Sequence, residues 1–449
     1  MFLGSTAMTQ ESPQAKDSFV VSANKAAIEI IMRYNANPRK WSEHIATHYN
    51  SSNNNREEKR VCQFIFLAYL RNKLLIECAL KKFLKHKTRP KIYAFLQSAI
   101  AELIDDKDNK SAKVVHNKVD LAKIFFSKNE ASFVNGVLRN FLRFFESLKE
   151  NAHTPIDFGL LYSNPEFLTE RWIQSFGEEK TKEILKSNNE SKKVFFRISQ
   201  NSLAQEKVKN VLEHLEKTNY ENFYAMHSGA FSHLEFLLEE KLAYIQDPST
   251  SFASLALAPK KGECILDLCA APGGKSSFIY DLLSQQNAGE ETTLVSVDVE
   301  GERFETLCSN LKYSTKINLQ QVSCDVFKEG LAQKLKSKNL PEKFDAILLD
   351  APCSNTGVLG RRPDARYRIT KDDISNCASI QKSMLEIAVG LLKDKGRIVF
   401  STCSIEEEEN LQNAKYIVEK FPFMKLVKSE IIMPSAESDG AGLSVLEKS

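Results

Sequence analysis

Two domains of different class, an all-α domain followed by an α/β domain on a doubly wound parallel sheet, are predicted by three observations. The chain has 449 residues, more than one ordinary core holds. From about Ser18 to Glu150 apolar residues recur at spacings of three and four, with few glycines, the period of amphipathic helices. From about Ala243 short apolar runs alternate with helical segments, the rhythm of parallel strands joined by crossover helices.

The elements follow in order. The opening "MFLGSTAMTQESPQAKDS" has no basic n-region and no sustained apolar segment. It is read as a disordered tail (1–17), with Met8 as an alternative start, and not as a signal peptide. In the helical domain (18–150), "NSSNNNREEKR" is a polar loop, while "CQFIFLAYLRNKLLIECALKKFL" and "IYAFLQSAIAELI" are amphipathic helices. "ASFVNGVLRNFLRFF" closes the domain with an apolar stripe flanked by Arg139 and Arg143. A connector (151–242) carries helices at "EFLTERWIQSF" and "QEKVKNVLEHLEK" and a strand at "VFFRIS"; no fold follows from its pattern. In the α/β domain (243–449) the strands are "CILDLC", "TLVSVDV", "LQQVSCDV", "FDAILLDAP" and "GRIVFSTCS". They end at Cys269, Asp298, Asp325, Asp350 and Cys403. Ligands of open α/β sheets bind outside the carboxyl ends of the strands, so these five endings are expected to form one site.

Composition narrows the function. An apolar content of 42%, a charged content of 27% and a net charge of +3 describe a globular protein. Nucleic-acid binding would have to come from local basic patches. No apolar run is long enough to span a membrane, so no membrane partner is expected. The nine cysteines are odd in number and contain no C-x-x-C pair, which argues against a disulfide framework or a zinc site. No metal is expected, and reduced thiols point to the cytoplasm. All eight histidines lie at or before His233, so the C-terminal half has no imidazole to act as base or ligand.

The loop after the first large-domain strand runs through Cys269, Ala270, Ala271, Pro272, Gly273, Gly274 and Lys275 into a helix. Small residues admit a ligand to the backbone, and a helix N-terminus offers N–H donors. A P-loop needs glycine where Cys269 stands, and a dinucleotide fold needs G-x-G-x-x-G; neither is present. S-adenosyl-L-methionine (AdoMet) needs only such a turn for its amino-acid moiety and an acid after the next strand for its ribose hydroxyls. Asp298 supplies that acid, and Asp325 suits the adenine amino group. The other reading is a tight strand–helix turn with acids capping nearby helices.

Two thiols at strand ends, one behind an aspartate, suggest covalent chemistry on an electron-poor ring. C5 of cytosine becomes nucleophilic when a thiolate adds at C6 and N3 receives a proton or a strong hydrogen bond. The enamine then takes a methyl group, and the C5 proton and the thiol leave. One cysteine is enough for addition; a second suits the elimination. The attacking species is the thiolate, which Lys275, an arginine or helix dipoles would have to favour here. Asp350 would need a proton for N3, a state that burial favours. Either cysteine alone also reads as a small buried hydrophobe.

"LDLCAAPGGK", "DAPCSNTGVLGRRPDARYR" and "STCSIEEEEN" resemble the RNA cytosine-5 methyltransferases of the RsmB (Sun/Fmu) and NOL/NOP/Sun group. "YIQDPSTSFASLALAPKKGECILD" resembles the segment leading into their catalytic domain, and the helical region with "ASFVNGVLRNFLR" resembles the NusB-like RNA-binding domain of bacterial RsmB. The resemblance covers nearly the whole chain. It implies a NusB-like domain followed by a Rossmann-like AdoMet-dependent methyltransferase domain that forms 5-methylcytosine in 16S ribosomal RNA. Cys403 would be the nucleophile, Cys353 would assist release, Asp350 would contact N3 and Lys275 would point to the same base. Cys269 to Lys275, Asp298, Asp325 and in part Asp350 would hold AdoMet. The DNA enzymes attack with the "PC" cysteine, so Cys403 favours RNA.

Five departures stand out. Asn355 replaces a usual glycine and Tyr367 a usual tryptophan. A glycine is missing before "QD", Tyr313 replaces an arginine, and the usual "DGFF" reads Asp439, Gly440, Ala441, Gly442.

Arg361, Arg362, Arg366 and Arg368 crowd the loop after Cys353, where they are expected to grip phosphates or stack on a flipped base; a solvated loop is the alternative. Glu406 to Glu409 read as a solvated helix start, and Asn410 as structural. "KKFLKHKTRPK" either binds RNA or solubilises a helix. The rivals to a monomeric ribosomal RNA enzyme are a transfer RNA methyltransferase, a non-catalytic RNA-binding assembly factor and a nucleotide hydrolase.

Overall fold

The computed structural model describes residues 13–49, 56–106, 110–199, 202–203, 205–226, 231–311 and 317–449. The chain divides into two units. The first runs to Asn189 and takes in Arg362–Arg368; the second comprises Glu190–Arg361 and Ile369–Ser449.

The first unit is helical: α1 (Pro13–Ala36), α2 (Trp41–Tyr49), α3 (Arg56–Phe83), α4 (Pro90–Ile104), α5 (Ser111–Phe125), α6 (Lys128–Asn151), α7 (Pro155–Leu161), α8 (Glu166–Phe176) and α9 (Glu178–Asn189). α3 packs against α1 and α4, and Ile31, Tyr34, Phe66, Tyr69, Phe95 and Phe141 from these helices and α6 are wholly buried. Local chemistry starts the helices where the pattern places them. Ser127 and Glu130 form a capping box on α6, as Thr154 and Asp157 do on α7, satisfying otherwise orphaned N–H groups.

Two expected boundaries move. α1 already begins at Pro13, inside the expected tail, and residues 1–12 lie outside the described residues. The polar loop shortens too: Arg56 to Arg60 begin α3, with Glu57 and Glu58 in its first turn, where acids favour the helix dipole. Residues 50–55 lie outside the described residues.

The connector does not behave as one body. Its α7–α9 belong to the helical unit, where Ser163 Oγ accepts from Leu74 N at 2.7 Å and Asn189 Nδ2 donates to Asn72 Oδ1 at 3.0 Å. The segment 362–368 is also built into this unit. Arg366 is fully buried; its guanidinium donates to Asn188 O at 2.7 Å, Asn189 Oδ1 at 2.9 Å and Tyr162 O at 3.2 Å. Tyr367 donates to Leu70 O at 2.6 Å, so the phenol supplies a hydrogen bond at the position where tryptophan is usual.

The second unit opens with an antiparallel sheet of β1 (Phe195–Ile198), β2 (Leu215–Lys217), β3 (Phe223–Met226) and β4 (Ala243–Ile245), in the order β2-β3-β1-β4. It is covered by α10 (Glu206–Leu212) and α11 (Phe231–Glu239). The expected helix "QEKVKNVLEHLEK" therefore ends at Leu212 and continues as β2. β4 belongs to this small sheet, so the large sheet begins only at Cys264. Buried Arg197 of β1 ion-pairs with Asp281 and donates to Ser277 Oγ at 2.8 Å and Gln246 Oε1 at 2.7 Å.

After α12 (Ser251–Leu257) come β5 (Cys264–Leu268), α13 (Gly274–Gln285), β6 (Thr293–Asp298), α14 (Glu302–Asn310), β7 (Asn318–Ser323), α15 (Leu331–Ser337), β8 (Phe344–Asp350), α16 (Lys371–Leu391), β9 (Leu392–Thr402), α17 (Leu411–Lys420), β10 (Met424–Ile432) and β11 (Ala441–Lys448). Arg197 thus ties the small sheet to α13. The sheet order is β10-β11-β9-β8-β5-β6-β7. β5 to β9 are parallel, while β11 pairs antiparallel with β9 and β10. The strand order reverses at β5, between β6 and β8, the position at which such sheets bind ligands. Every residue of β6 is buried, as a strand covered on both faces requires.

Arg366→Ala removes a buried donor set and leaves several carbonyls unpaired. It is expected to destabilise the protein by about 3 kcal/mol, read as a lower urea midpoint in equilibrium unfolding.

Candidate active site

The turn after β5 brings backbone and acid together. Cys269 (φ 61°) and Gly273 (φ 106°) both adopt left-handed conformations. A Cβ at Gly273 would also lie 3.2 Å from Leu307 Cδ1, so glycine is required there. Ala270 and Ala271 are buried against Leu307 and Leu311. Asp298, at the end of β6, accepts from Ala271 N and Val299 N, both at 2.8 Å, and Arg303 donates to the Ala271 carbonyl. Below the turn, burial raises the Asp267 carboxyl to about 7. Asp325 follows β7; its hydrogen bond with Lys328, at 2.9 Å, holds its carboxyl below the ordinary value.

Lys275 enters on the first turn of α13 and donates to Asp350 Oδ2 at 2.7 Å, while Ser401 Oγ donates to Asp350 Oδ1 at 2.9 Å. The second contact follows from the parallel register that pairs Asp350 with Ser401. Burial works against the Lys275 ammonium, but the charge and hydrogen bond of Asp350 outweigh it, and the net direction is upward.

Cys353 and Cys403 follow these two strand ends. Their sulfurs are 2.7 Å apart, and Cys403 Sγ lies 3.2 Å from Asn355 Oδ1. The hydrogen bond with Cys403, burial and the nearby Glu409 charge hold the Cys353 thiol well above its ordinary value. Asn355 has φ 66°, which explains the usual glycine and why asparagine is tolerated; its Nδ2 also donates to Cys353 O at 2.8 Å.

The acidic run is only in part a solvated helix start: Glu407 is exposed in a short 3-10 turn. Glu406 and Glu409 are buried, at 2% and 0% exposure. Glu409 accepts from Ser354 N at 2.9 Å, Ser404 Oγ at 2.7 Å, Gln381 Nε2 at 3.0 Å and Ser354 Oγ. A run of four acids gives no period that separates an inward side chain from outward ones. The one signal was the run's position directly after the Cys403 turn. Asn410 is structural as expected: its Oδ1 accepts from Thr402 Oγ1 at 2.7 Å and its Nδ2 donates to Glu406 O at 2.8 Å. A Cβ on Gly442 would fall 1.7 Å from Asn410 Oδ1, so no side chain fits there.

The four arginines do not act as a group. Arg361 pairs with Asp247 and Asp439, each at 2.6 Å, and donates to Lys193 O at 2.9 Å. Arg366 is enclosed in the helical unit, where burial lowers its basicity. Contrary to expectation, Arg366 has no exposed surface with which to grip RNA, while Arg361 keeps 28% of its side chain exposed beside its two carboxylates. Arg362 and Arg368 are exposed, the latter paired with Asp364 at 2.7 Å. Tyr313 lies outside the described residues. Among the described residues no His, Cys, Asp and Glu group is arranged to hold a metal ion, and no helix is long and apolar enough to cross a membrane.

A family model described as 16S rRNA methyltransferase RsmB/F matches residues 254–445, and a NusB family model matches residues 22–143. The chain is 30% identical over 364 residues to ribosomal RNA small subunit methyltransferase B of Pasteurella multocida, covering 78% of this chain and 76% of that protein. It is 32% identical over 328 residues to the Vibrio cholerae protein of the same name, covering 70% and 72%. The probable Bacillus subtilis counterpart is 29% identical over 364 residues, covering 79% and 78%. Among solved structures, PH0851 superposes with a TM-score of 0.69 at 23% identity over 95% of this chain and 99% of that one. A methyltransferase homolog protein from Pyrococcus horikoshii gives 0.54 at 25% identity, over 66% and 99%.

The thiol pair sets a pH test. Alkylation of the Cys353 peptide in the free protein is expected to have its midpoint well above the ordinary thiol value. Cys403→Ala removes the main cause of that rise, so the midpoint should move down, as followed by peptide mass spectrometry across a pH series.

Proposed function

The chain belongs to the RsmB family of small-subunit ribosomal RNA methyltransferases, and on that premise we propose that it forms 5-methylcytosine in 16S ribosomal RNA from AdoMet through a covalent Cys403–C6 adduct. The observation that carries this reading is the pair of thiols 2.7 Å apart, following the strand that ends on the Lys275–Asp350 ion pair and the strand beside it.

The residues after β5 fit AdoMet. The turn admits no Cβ at Gly273, and the Asp298 carboxylate keeps lone pairs for ribose hydroxyls beyond its two backbone contacts. Asp325 keeps acceptor capacity for an adenine amino group in the same way. When bound, AdoMet supplies an electrophilic methyl group on a sulfonium.

The chain's own groups handle the base. The Cys403 thiolate forms the S–C6 bond while the Lys275–Asp350 pair gives a proton to N3, and the electron pair reaching C5 takes the methyl group. In place of an Asp350 protonated by burial, the proton source in this reading is the Lys275–Asp350 hydrogen bond. In the elimination C5 loses its proton to a base, the C6–S electrons return to Cys403, and N3 returns its proton to the pair. Cys353, kept as a thiol, donates a hydrogen bond to the departing sulfur and so favours release. Arg362 and Arg368, both exposed, are the arginines this reading assigns to phosphates. The protein acts in the cytoplasm, as a monomer.

Cys353→Ala protein mixed with AdoMet and unmodified 16S ribosomal RNA is expected to accumulate a denaturant-resistant protein–RNA adduct. The adduct should vanish when Cys403 is also replaced, and the wild type should methylate ribosomal RNA but not transfer RNA. An active wild type with no adduct in the variant would overturn the division of labour between the thiols.

A further inference from the structure

We infer that Glu409 is a positioning residue: its buried carboxylate clamps the two cysteine loops together and so sets the approach of Cys353 to Cys403. Glu409 Oε1 takes the hydroxyls of Ser354 and Ser404, the residues that follow Cys353 and Cys403, while Oε2 takes the Ser354 N–H at 2.9 Å. Gln381 of α16 donates to Glu409 Oε2 at 3.0 Å and to Pro352 O, the carbonyl before Cys353, at 2.9 Å. Gln381 is itself held by Asn413 at 2.9 Å. One carboxylate therefore gathers donors from both loops and from a helix that braces one of them.

The rest of the seam is also satisfied. Ser404 Oγ accepts from Glu406 N and lies 3.1 Å from Thr356 Oγ1, which accepts from Ile405 N. Gly357 N donates to Cys403 O at 3.0 Å. Among the described residues no side chain of opposite charge is hydrogen-bonded to the Glu409 carboxylate, so it depends on these donors, and each lost donor leaves a buried acceptor unpaired. Burial pushes the Glu409 carboxyl upward, against the hydrogen bonds that favour its charged form.

The two parts of the clamp, geometry and charge, separate by substitution. In Glu409→Gln the amide oxygen can face the Ser354 and Gln381 N–H groups, and its NH₂ can donate to the two hydroxyls, which rotate to accept. The loops stay joined while the charge is lost. Glu409→Ala loses both.

The thiol approach can be read without substrate. Diamide oxidises two adjacent thiols to a disulfide: the S–S bond forms, and two electrons and two protons pass to diamide, which becomes the hydrazine. Cross-linking of the Cys353 and Cys403 peptides, followed by mass spectrometry, is expected to slow at least tenfold in Glu409→Ala and to stay within about threefold of wild type in Glu409→Gln. Equal rates in wild type and Glu409→Ala, or equal slowing in Ala and Gln, would overturn the clamp. If Glu409→Ala does not fold, Ser404→Ala withdraws a single donor; slower cross-linking is again expected, and an unchanged rate overturns the inference.

The consequence for turnover rests on the proposed methyltransferase reading. Glu409→Ala should carry more RNA adduct per product formed than wild type, because Cys353 no longer meets the departing sulfur. Absence of methylation by the wild type would count against that reading alone, since the cross-linking rate decides the clamp by itself.

Discussion

The parallel pairing of β8 with β9 is the constraint on which the site depends. It sets Asp350 beside Ser401, so the chain leaves two neighbouring strands at the same sheet edge, three residues before Cys353 on one and two before Cys403 on the other. Because successive strand residues face opposite sides, a one-residue slip would separate Asp350 from its partner. Fully buried neighbours on these strands, Leu348, Leu349, Val399 and Phe400, hold the register by packing.

Charges of opposite sign then flank the thiol pair. The Lys275 ammonium and its Asp350 partner lie at the strand ends, where a base would enter, and the cation feels Cys403. The Glu409 carboxylate lies behind, among hydroxyls and amides, and acts on Cys353. The two thiols therefore sit in unequal surroundings, with the Cys403 hydrogen bond, burial and the Glu409 charge all raising Cys353.

The arginine-rich stretch after Cys353 serves the fold more than its composition suggests. Arg361 closes a buried ion cluster with Asp247 and Asp439, in the segment where the family usually carries aromatics. Arg366 is a core residue of the helical unit. A buried guanidinium is tolerated only where acceptors meet most of its donors, as the carbonyls around Arg366 do.

Much of the architecture was legible in the sequence because it rests on local rules. Periodicity separates the helical unit from the α/β unit, strand-ending acids and cysteines mark the sheet edge, and the small residues from Ala270 to Gly274 mark the turn into a helix. The antiparallel β10 and β11, the strand hidden in "EHLEK" and the attachment of α7–α9 to the helical unit were not legible, since each depends on which distant segment offers a partner. The same holds within the site. Residue order alone put Asp350, Cys353 and Cys403 at strand ends and Lys275 at a helix start. Only the tertiary structure decided which two of the four glutamates are buried and which arginines are enclosed, because burial is set by the surfaces that close over a side chain and not by its neighbours in the chain.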